Sequence, residues 1–324
     1  MPETTAPNVR VVPADRLAAV TAAIFARLGV PEEDASFLGN CLVDADLRGV
    51  HSHGTRYVSV YVNALRRNYA NPRPVMRMVR DHGATALYDA DGGLGHIMAA
   101  RAMRIAIAKA KEHGTGTVSL RNSRHIGALA YYTQMAADAG CIGFCTTTAG
   151  IMMAPYGGRD RLIGLNPLSW AVPTNRPWSV NLDMAPSVVA GSKLGMAIER
   201  GEKIPLGWAL DEHGQPTDDP REALKGVLLP IGGPKGYGLA VMLDILAGVL
   251  SGGHFGKDLG GPGSSQLYQA IDIERFLPLE EFKARMDQLI DQIKSSAPAP
   301  GSPGVFLPGE MEYYTKQKRL QEGI

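Results

Sequence analysis

The middle of the chain alternates between strand-like and helix-like segments, and this alternation limits the fold more than any other feature of the sequence. Residues 99–112 have helical periodicity and end at Gly114, and the run at 116–120 that follows is typical of a strand. The same order recurs at 131–139 and 142–147. This pattern predicts an α/β layer built on a largely buried sheet.

Both ends of the chain have helical periodicity without intervening strands. Helices are predicted there at 14–28, 31–47, 56–68, 279–295 and 310–322. Within the α/β region, a long helix is predicted to begin near Gly238, and the glycine-rich stretch 252–265 is predicted to be a loop. The chain is therefore expected to open and close with helices around a sheet.

The balance of charged and apolar residues excludes several kinds of partner. The chain has 33 Lys and Arg against 32 Asp and Glu, and it lacks the basic stripe typical of nucleic-acid binding. Its longest apolar stretch, 237–250, is interrupted by Asp244 and is shorter than the about 20 residues that span a bilayer. We expect no nucleic-acid partner and no membrane partner.

The cysteines and the N-terminal residues indicate a compartment. Cys41, Cys141 and Cys145 are odd in number and form no C-x-x-C pair, so a disulfide framework is not expected. The N-terminal residues contain no apolar core of signal-peptide length. These features predict a protein of the reducing cytoplasm.

The common nucleotide and metal motifs are missing. The nearest approach to G-x-G-x-x-G is Gly92-Gly93-Leu94-Gly95, where Met98 stands at the third glycine position. No P-loop, H-E-x-x-H, G-x-S-x-G or zinc-like spacing is found. A nucleotide site must therefore use a different architecture, and no metal site is expected.

The segment 48–54, RGVHSHG, combines a hydroxyl, an imidazole and a glycine at a predicted helix start. His53 can exchange a proton near neutral pH, and Ser52 can orient its ring through one nitrogen. Alternatively, Ser52 only caps the following helix and His53 packs beneath it.

Two other glycine-containing segments suit an anionic ligand. The run at 121–129, RNSRHIGAL, lies between a predicted strand and a predicted helix, where ligands of α/β sheets bind. Lys235, within 232–238, supplies a charge beside glycines that let the backbone approach a phosphate. Alternatively, the first segment is a polar turn with Ser123 as a cap and His125 solvated, and the second segment is a flexible turn. Asp183, after a predicted strand, can bind ribose hydroxyls or cap the next helix.

Together these segments resemble the malate/L-lactate dehydrogenase family of the second type. The family is distinct from Rossmann-type lactate dehydrogenases; its members include ureidoglycolate and sulfolactate dehydrogenases, diketogulonate reductase and Δ1-piperideine-2-carboxylate reductase. The matching strings keep their order at 48–54, 121–132, 154–158, 182–187, 204–220, 228–252 and 307–310. The resemblance implies a homodimer that binds NAD or NADP in a non-Rossmann mixed-sheet α/β domain. It also implies a division into residues 1–75, 76–272 and 273–324, with the first and last segments packed together as a helical domain.

The resemblance also assigns roles to individual residues. It implies that His53 is the proton donor and acceptor, that Ser52 orients it, and that His125 is the base in some members. Cofactor contacts are implied at His125, Ile126, Gly127, Ala128, Leu129, Thr148, Asp183, Met184, Ala185, Lys235, Gly236, Leu307, Pro308, Gly309 and Glu310.

The chain departs from the family pattern on the substrate side. Where relatives place a carboxylate-binding arginine, four residues after the histidine, this chain has Tyr57, with Arg56 one residue earlier. Leu165 replaces a substrate-contacting threonine, and Lys193 replaces an aspartate of the imine-reducing relative. Substrate contacts are thus expected from Arg56, Tyr57 and Leu165.

The implied reaction is hydride transfer between a nicotinamide and C2 of a small, malate- or lactate-like 2-hydroxy or 2-oxo acid. An alternative with the same histidine is NADPH-dependent reduction of a cyclic imine or α-imino acid. A remote alternative is a hydrolase that uses Ser52 or Ser123 with a histidine, although the chain shows no nucleophile elbow.

Overall fold

The computed structural model of this chain describes residues 11–260 and 263–324. The predicted N-terminal helical segment and the predicted loop 252–265 therefore lie partly outside the described residues. The helices are α1 (Ala14–Ala26), α2 (Glu32–Leu47), α3 (Val58–Arg66), α4 (Gly95–His113), α5 (Ala130–Asp138), α6 (Ser192–Arg200), α7 (Pro220–Lys225), α8 (Pro234–Asp244), α9 (Leu279–Lys294) and α10 (Glu310–Glu322). A π-helical turn, Ile245–Val249, extends α8.

Two sheets are formed by short strands. The strands are β1 (Arg77–His82), β2 (Thr85–Asp89), β3 (Thr115–Ser123), β4 (Cys141–Thr147), β5 (Ile151–Met153), β6 (Ile163–Gly164), β7 (Leu168–Val172), β8 (Val180–Met184), β9 (Ala209–Leu210), β10 (Pro216–Thr217), β11 (Val227–Leu228) and β12 (Ser264–Asp272). The larger sheet has the order β1-β2-β3-β12-β4-β7-β8, and the smaller one β10-β9-β11-β5-β6.

The strand order separates this fold from the dinucleotide-binding Rossmann fold. In the larger sheet only β2 and β3 run parallel, and each of the other neighbouring pairs is antiparallel. A Rossmann sheet is built instead from parallel strands joined by helical crossovers. The predicted non-Rossmann mixed α/β fold is therefore confirmed.

The main core lies between α4 and the centre of the larger sheet. The side of α4 that faces the sheet is rich in alanine, and Ala102, Ala106 and Ala110 are fully buried there. An added Cβ on Gly116 of β3 would lie 2.0 Å from the carbonyl oxygen of Ala106, so the helix rests almost directly on the strand. Small residues on both surfaces make this close contact possible.

The two ends of the described chain meet. The backbones of Val12 and Ile324 exchange hydrogen bonds of 2.9 and 3.0 Å, and Lys316 of α10 pairs with Asp44 of α2. These contacts support the helical unit that the resemblance implies for the two chain ends, although the predicted boundaries at 75 and 272 stay predictions.

Two predicted helices differ in the structure. The helix predicted at 56–68 begins only at Val58, because the preceding residues form two 3₁₀ turns on either side of extended Gly54. The helix predicted near Gly238 begins at Pro234. Proline is favourable in a first helical turn, so the glycines around it do not mark a loop.

Three further observations concern the predictions about a membrane span, the burial of the sheet and the cysteines. Among residues 11–260 and 263–324, none of the helices combines the length and the hydropathy of a membrane-spanning segment. The sheet is less buried than predicted at its edge, because all six residues of β1 are exposed. Cys41, Cys141 and Cys145 are buried and unpaired.

Candidate active site

The predicted proton-transfer residue, His53, lies in the first of the two 3₁₀ turns between α2 and α3. Its Nδ1 is 2.9 Å from the hydroxyl of Ser52, and its ring is partly exposed. Because the hydroxyl contacts Nδ1, the other ring nitrogen is left for a ligand. The alternative in which Ser52 caps the helix finds no support, since neither of the 3₁₀ turns nor α3 has a side-chain cap.

The second predicted histidine lies beside the first. The ring centroids of His53 and His125 are 5.7 Å apart, with their planes inclined by 19°. Tyr57 stacks on both rings, with centroids 6.1 Å from His53 and 5.2 Å from His125. The fold thus brings together three residues from the predicted set that are up to 72 positions apart in sequence.

Two residues of this cluster are not identified by the sequence analysis. The hydroxyl of Tyr61 lies 2.7 Å from Nδ1 of His125, whereas the sequence pattern places Tyr61 only on the apolar stripe of a helix. His96 is 1% exposed, packs edge-on against Tyr61, and its ring nitrogens have no partner within the described chain. A tyrosine or histidine on an apolar stripe is the signal that could have identified them.

Both site histidines are shifted toward the neutral form. Burial lowers the pKa of His53. Burial, followed by the nearby charge of His53, lowers the pKa of His125. His125 nevertheless retains a solvent-exposed surface, so water offsets part of that shift.

Asp183, at the end of β8, joins the His125 segment to the sheet. Its carboxylate accepts a hydrogen bond of 2.8 Å from the backbone N–H of Ala130, in the first turn of α5. It therefore caps α5 and not the next helix along the chain, which was the expected alternative. The surrounding protein raises the pKa of the Asp183 carboxyl, although hydrogen bonds from the N–H groups of Ala130 and Leu129 act to lower it. Part of the Asp183 side chain is still exposed to solvent.

Two other predicted cofactor segments meet at β8. The N–H of Asn181 donates to the carbonyl of Pro308 at 2.9 Å, which docks the segment Leu307–Glu310 on the strand. The N–H of Ile231 donates to the carbonyl of Pro186 at 2.7 Å, which places the start of α8 beside the end of β8. The segments containing His125, Lys235 and Pro308 therefore converge around residues 183–185.

Lys235 is open for a ligand at this convergence. It is exposed, and no carboxylate within the described chain lies within 4.0 Å of its ammonium group, since it takes part in none of the ion pairs. Gly232 and Gly233 have φ of 59° and 61°, a conformation that favours glycine. Gly236 is buried, and an added Cβ there would lie 2.3 Å from the carbonyl oxygen of Ile231.

Other predicted contacts have protein partners. Thr148 is buried and its hydroxyl accepts from the N–H of Ser265 at 3.0 Å. Glu310 is buried, pairs with Lys294 and accepts from the N–H of Leu307 at 3.1 Å. Both side chains therefore support the site through bonds within the protein and are less available to contact a cofactor.

The predicted substrate contacts are divided. Tyr57 lies in the histidine cluster, but Arg56 pairs with Glu199 of α6, and both of these side chains are exposed. Leu165 lies near α6 as well, because its Cδ1 is 3.5 Å from the position of an added Cβ on Gly191. Across the described ranges, no group of three or more metal-ligating side chains is found.

Comparisons with known proteins agree with this architecture. The family model described as malate/L-lactate dehydrogenase matches residues 12–324. A malate dehydrogenase of Pyrococcus horikoshii is 42% identical over 327 residues, covering 97% of this chain and 90% of that protein. The structure of sulfolactate dehydrogenase from Methanocaldococcus jannaschii has a TM-score of 0.90 at 38% identity, covering 97% of this chain and 92% of that one. Delta1-piperideine-2-carboxylate reductase from Pseudomonas syringae pvar. tomato has a TM-score of 0.88 at 27% identity, covering 98% and 96%.

The mixed sheet and the agreement with dehydrogenase structures define a class of dehydrogenase fold that is separate from the Rossmann enzymes. Within that class, the chain belongs to the malate/L-lactate dehydrogenase family, second type.

Proposed function

We propose that this chain is an NAD- or NADP-dependent oxidoreductase that interconverts a small 2-hydroxy acid and its 2-oxo acid. The observation that carries the proposal is the stacked pair of neutral-shifted histidines beside the cofactor segments that converge on β8. The proposal agrees with relatives that are named malate and sulfolactate dehydrogenases.

The residues around β8 fit a dinucleotide with a diphosphate. The unpaired ammonium of Lys235, at the N-terminus of α8, suits a phosphate, and the helix adds a partial positive charge there. Asp183 remains open to solvent and can accept from a ribose hydroxyl. When bound there, the nicotinamide would supply or accept a hydride for the reaction at C2 of the substrate.

His53 performs the proton transfer in this proposal. In oxidation its neutral ring takes the proton of the substrate hydroxyl, and in reduction its protonated ring returns a proton to the oxygen of C2. The Ser52 hydroxyl at Nδ1 holds the ring so that Nε2 faces the substrate. Tyr61 holds His125 in a similar way through Nδ1. His125 is therefore positioned beside His53 to bind or protonate the substrate.

The proposed substrate anchors are Arg56, Tyr57 and Leu165. Tyr57 stacks on both histidines and can donate from its hydroxyl to a carboxylate. Arg56 must leave Glu199 to reach a substrate, and an ion pair between two exposed side chains is weak enough to allow this.

The test is a panel of 2-oxo acids and cyclic imines, each assayed with NADH and with NADPH at the nicotinamide absorbance. Turnover of pyruvate, oxaloacetate or sulfopyruvate supports the proposal. Turnover of only the cyclic imines supports the reductase alternative. Shifted nicotinamide fluorescence without turnover of any compound indicates a binding protein, and the absence of both results contradicts the proposal.

Replacement of Lys235 by methionine should raise the cofactor Kd by about tenfold or more, because a charge-assisted phosphate contact is lost. Nicotinamide fluorescence titration measures the change. Lys225→Met is the matched control, since Lys225 is an exposed lysine that pairs with Glu222 on α7. An unchanged Kd in Lys235→Met would remove this residue from the proposed site.

We also propose that the chain forms a homodimer through α8 and its π-helical extension. Leu239, Met242, Ile245 and Val249 are exposed at spacings of three or four residues, which makes an apolar stripe along one side of the helix. Met242→Glu should shift the sedimentation coefficient toward that of a 34.6 kDa monomer. Val20→Glu, at an exposed apolar residue of α1, should leave it unchanged. A monomeric wild-type chain would contradict the proposal.

A further inference from the structure

A buried carboxylate lies directly behind the turn that carries His53. Asp46, in the last turn of α2, is 3% exposed. One of its oxygens accepts from the Nδ1–H of His51 at 2.9 Å. The other accepts from the N–H and the hydroxyl of Thr55, at 2.8 and 2.6 Å. The same carboxylate thus holds the residues on both sides of Ser52, His53 and Gly54.

The residue after His53 allows this carboxylate to approach the backbone. An added Cβ on Gly54 would lie 2.1 Å from Oδ1 of Asp46 and 2.3 Å from its Cγ. A larger residue at this position would push the turn away from α2. Glycine is therefore required here by contact with Asp46, and not by a positive φ, since Gly54 has φ of −92°.

The hydrogen bonds of His51 specify one tautomer. A carboxylate can only accept, so the Nδ1 that faces Asp46 carries the proton. The guanidinium of Arg319 can only donate, so the Nε2 that lies 2.9 Å from it has none. A neutral ring with Nδ1–H satisfies both neighbours, and the opposite tautomer would satisfy neither of them.

Arg319 extends this network to the C-terminal helix. It lies near the end of α10 and also donates to the backbone carbonyl of Asp46. The same helix begins at Glu310, the last residue of the segment Leu307–Glu310, which docks on β8 next to the proposed cofactor contacts. One rigid helix of 13 residues therefore connects that segment to the His53 turn.

We propose that Asp46 is a positioning residue for His53 and acts through His51 and Thr55, with Arg319 as its support from α10. Its carboxylate is hydrogen-bonded to His51 and Thr55 and not to His53. This inference rests on the proposed function, because positioning matters only if His53 transfers a proton. Its effect is on geometry: a shift of about 1 Å in a catalytic group can cost on the order of 100-fold in rate.

The substitution Asp46→Asn tests this role. Asparagine keeps the size of the side chain but replaces one acceptor with an NH₂ donor, which must face either His51 or Thr55. We expect kcat to fall by about 10- to 100-fold with little change in KM or cofactor Kd. With NADH or NADPH deuterated at C4, the isotope effect on kcat should rise, because hydride and proton transfer become slower.

The matched control is Asp44→Asn on the same helix. The side chain of Asp44 is also largely buried and also contacts α10, through Lys316, but it does not touch the turn. We expect its kcat to stay within about twofold of wild type. A loss of kcat in Asp46→Asn with an unchanged isotope effect would indicate fewer folded molecules, and would overturn the proposal. So would equal losses in both variants.

A double substitution adds a rescue test. Arg319→Met removes the donor at Nε2, so that His51 in the Asp46→Asn background can carry its proton on Nε2 and accept at Nδ1. The double variant should therefore recover part of the lost kcat, and independent multiplied losses would contradict the network.

A spectroscopic readout separates this inference from the proposed function. Nitrogen-15 NMR of labelled histidine distinguishes Nδ1–H from Nε2–H rings, and His51 should show Nδ1–H in wild type and Nε2–H in the double variant that combines Asp46→Asn with Arg319→Met. If wild type turns over no substrate of the panel, the proposed function fails even when the tautomer is as expected. If wild type is active and His51 shows Nε2–H, the positioning network is wrong and the proposed function still stands.

Discussion

Replacing His53 with alanine should lower kcat by about 100- to 10,000-fold and leave the cofactor Kd nearly unchanged. This range is typical for the loss of a general acid–base group. The cofactor segments meet at β8 and make no hydrogen bond to His53, so binding should survive. Steady-state rates and nicotinamide fluorescence titration measure the two quantities.

The control for this substitution is His82→Ala, because His82 is an exposed histidine of β1. It should retain wild-type turnover. Wild-type kcat in His53→Ala would transfer the proton-transfer role to His125, whose ring lies 5.7 Å away and is held by Tyr61. Comparison with His125→Ala would then decide between the two histidines.

The pH dependence of turnover should report the same residue. Burial lowers the pKa of His53, so its neutral form predominates at neutral pH. The kcat/KM for oxidation should rise with pH through a pKa below the ordinary value of about 6.5 for histidine and then level off. The kcat/KM for reduction should fall over the same range, since the protonated ring is then required. Neither the rise in kcat/KM for oxidation nor the fall in kcat/KM for reduction should be seen in His53→Ala.

Replacing Gly95 with alanine should destabilise the fold and displace His125. Gly95 is buried at the start of α4, and an added Cβ would lie 2.1 Å from the carbonyl oxygen of Arg124 and 2.3 Å from that of His125. Because both contacts are with backbone, the segment carrying His125 must move. We expect a loss of about 1–3 kcal/mol in the free energy of unfolding, and a fall in kcat.

Thermal and denaturant unfolding measure the first effect, and steady-state assays the second. Gly195→Ala on α6 is the matched control, since an added Cβ there meets no atom within 4 Å. That change should stabilise the protein by about 0.5–1 kcal/mol, because alanine loses less conformational freedom in a helix. Wild-type stability in Gly95→Ala would show that the α4 start and the His125 segment do not press together.

The Gly95 contact also shows why glycines are frequent in a stretch that lacks the dinucleotide fingerprint. Gly92 has φ of 68°, and an added Cβ on Gly93 would lie 2.6 Å from Pro74. These glycines permit tight turns and close packing beneath the His125 segment. None of these contacts requires a phosphate. The failed match to G-x-G-x-x-G therefore agrees with a role of these glycines in packing and turns.

Helix and strand order are largely predictable because they depend on local periodicity. The last helix is predicted at 310–322, and α10 has these bounds. Predictions fail where a distant side chain or a special residue decides the backbone. The carboxylate of Asp46 accepts a hydrogen bond from the N–H of Thr55, so α3 begins later in the chain than its periodicity predicts. Pro234 begins α8 although glycines surround it. Neither contact has a signature within a short window of sequence.

The sequence by itself determined the class of elements, the missing Rossmann fingerprint and the candidate residues His53, His125, Asp183 and Lys235. These follow from residue type, spacing and motif order, which are properties of the chain alone. Only the tertiary structure decided that His53 and His125 stack, that Tyr61 holds His125, that Asp183 caps α5 and that Asp46 supports the turn. The physical reason is that hydrogen bonds, burial and pKa shifts depend on distances between residues far apart in sequence, and such distances exist only once the sheet and its helices have packed.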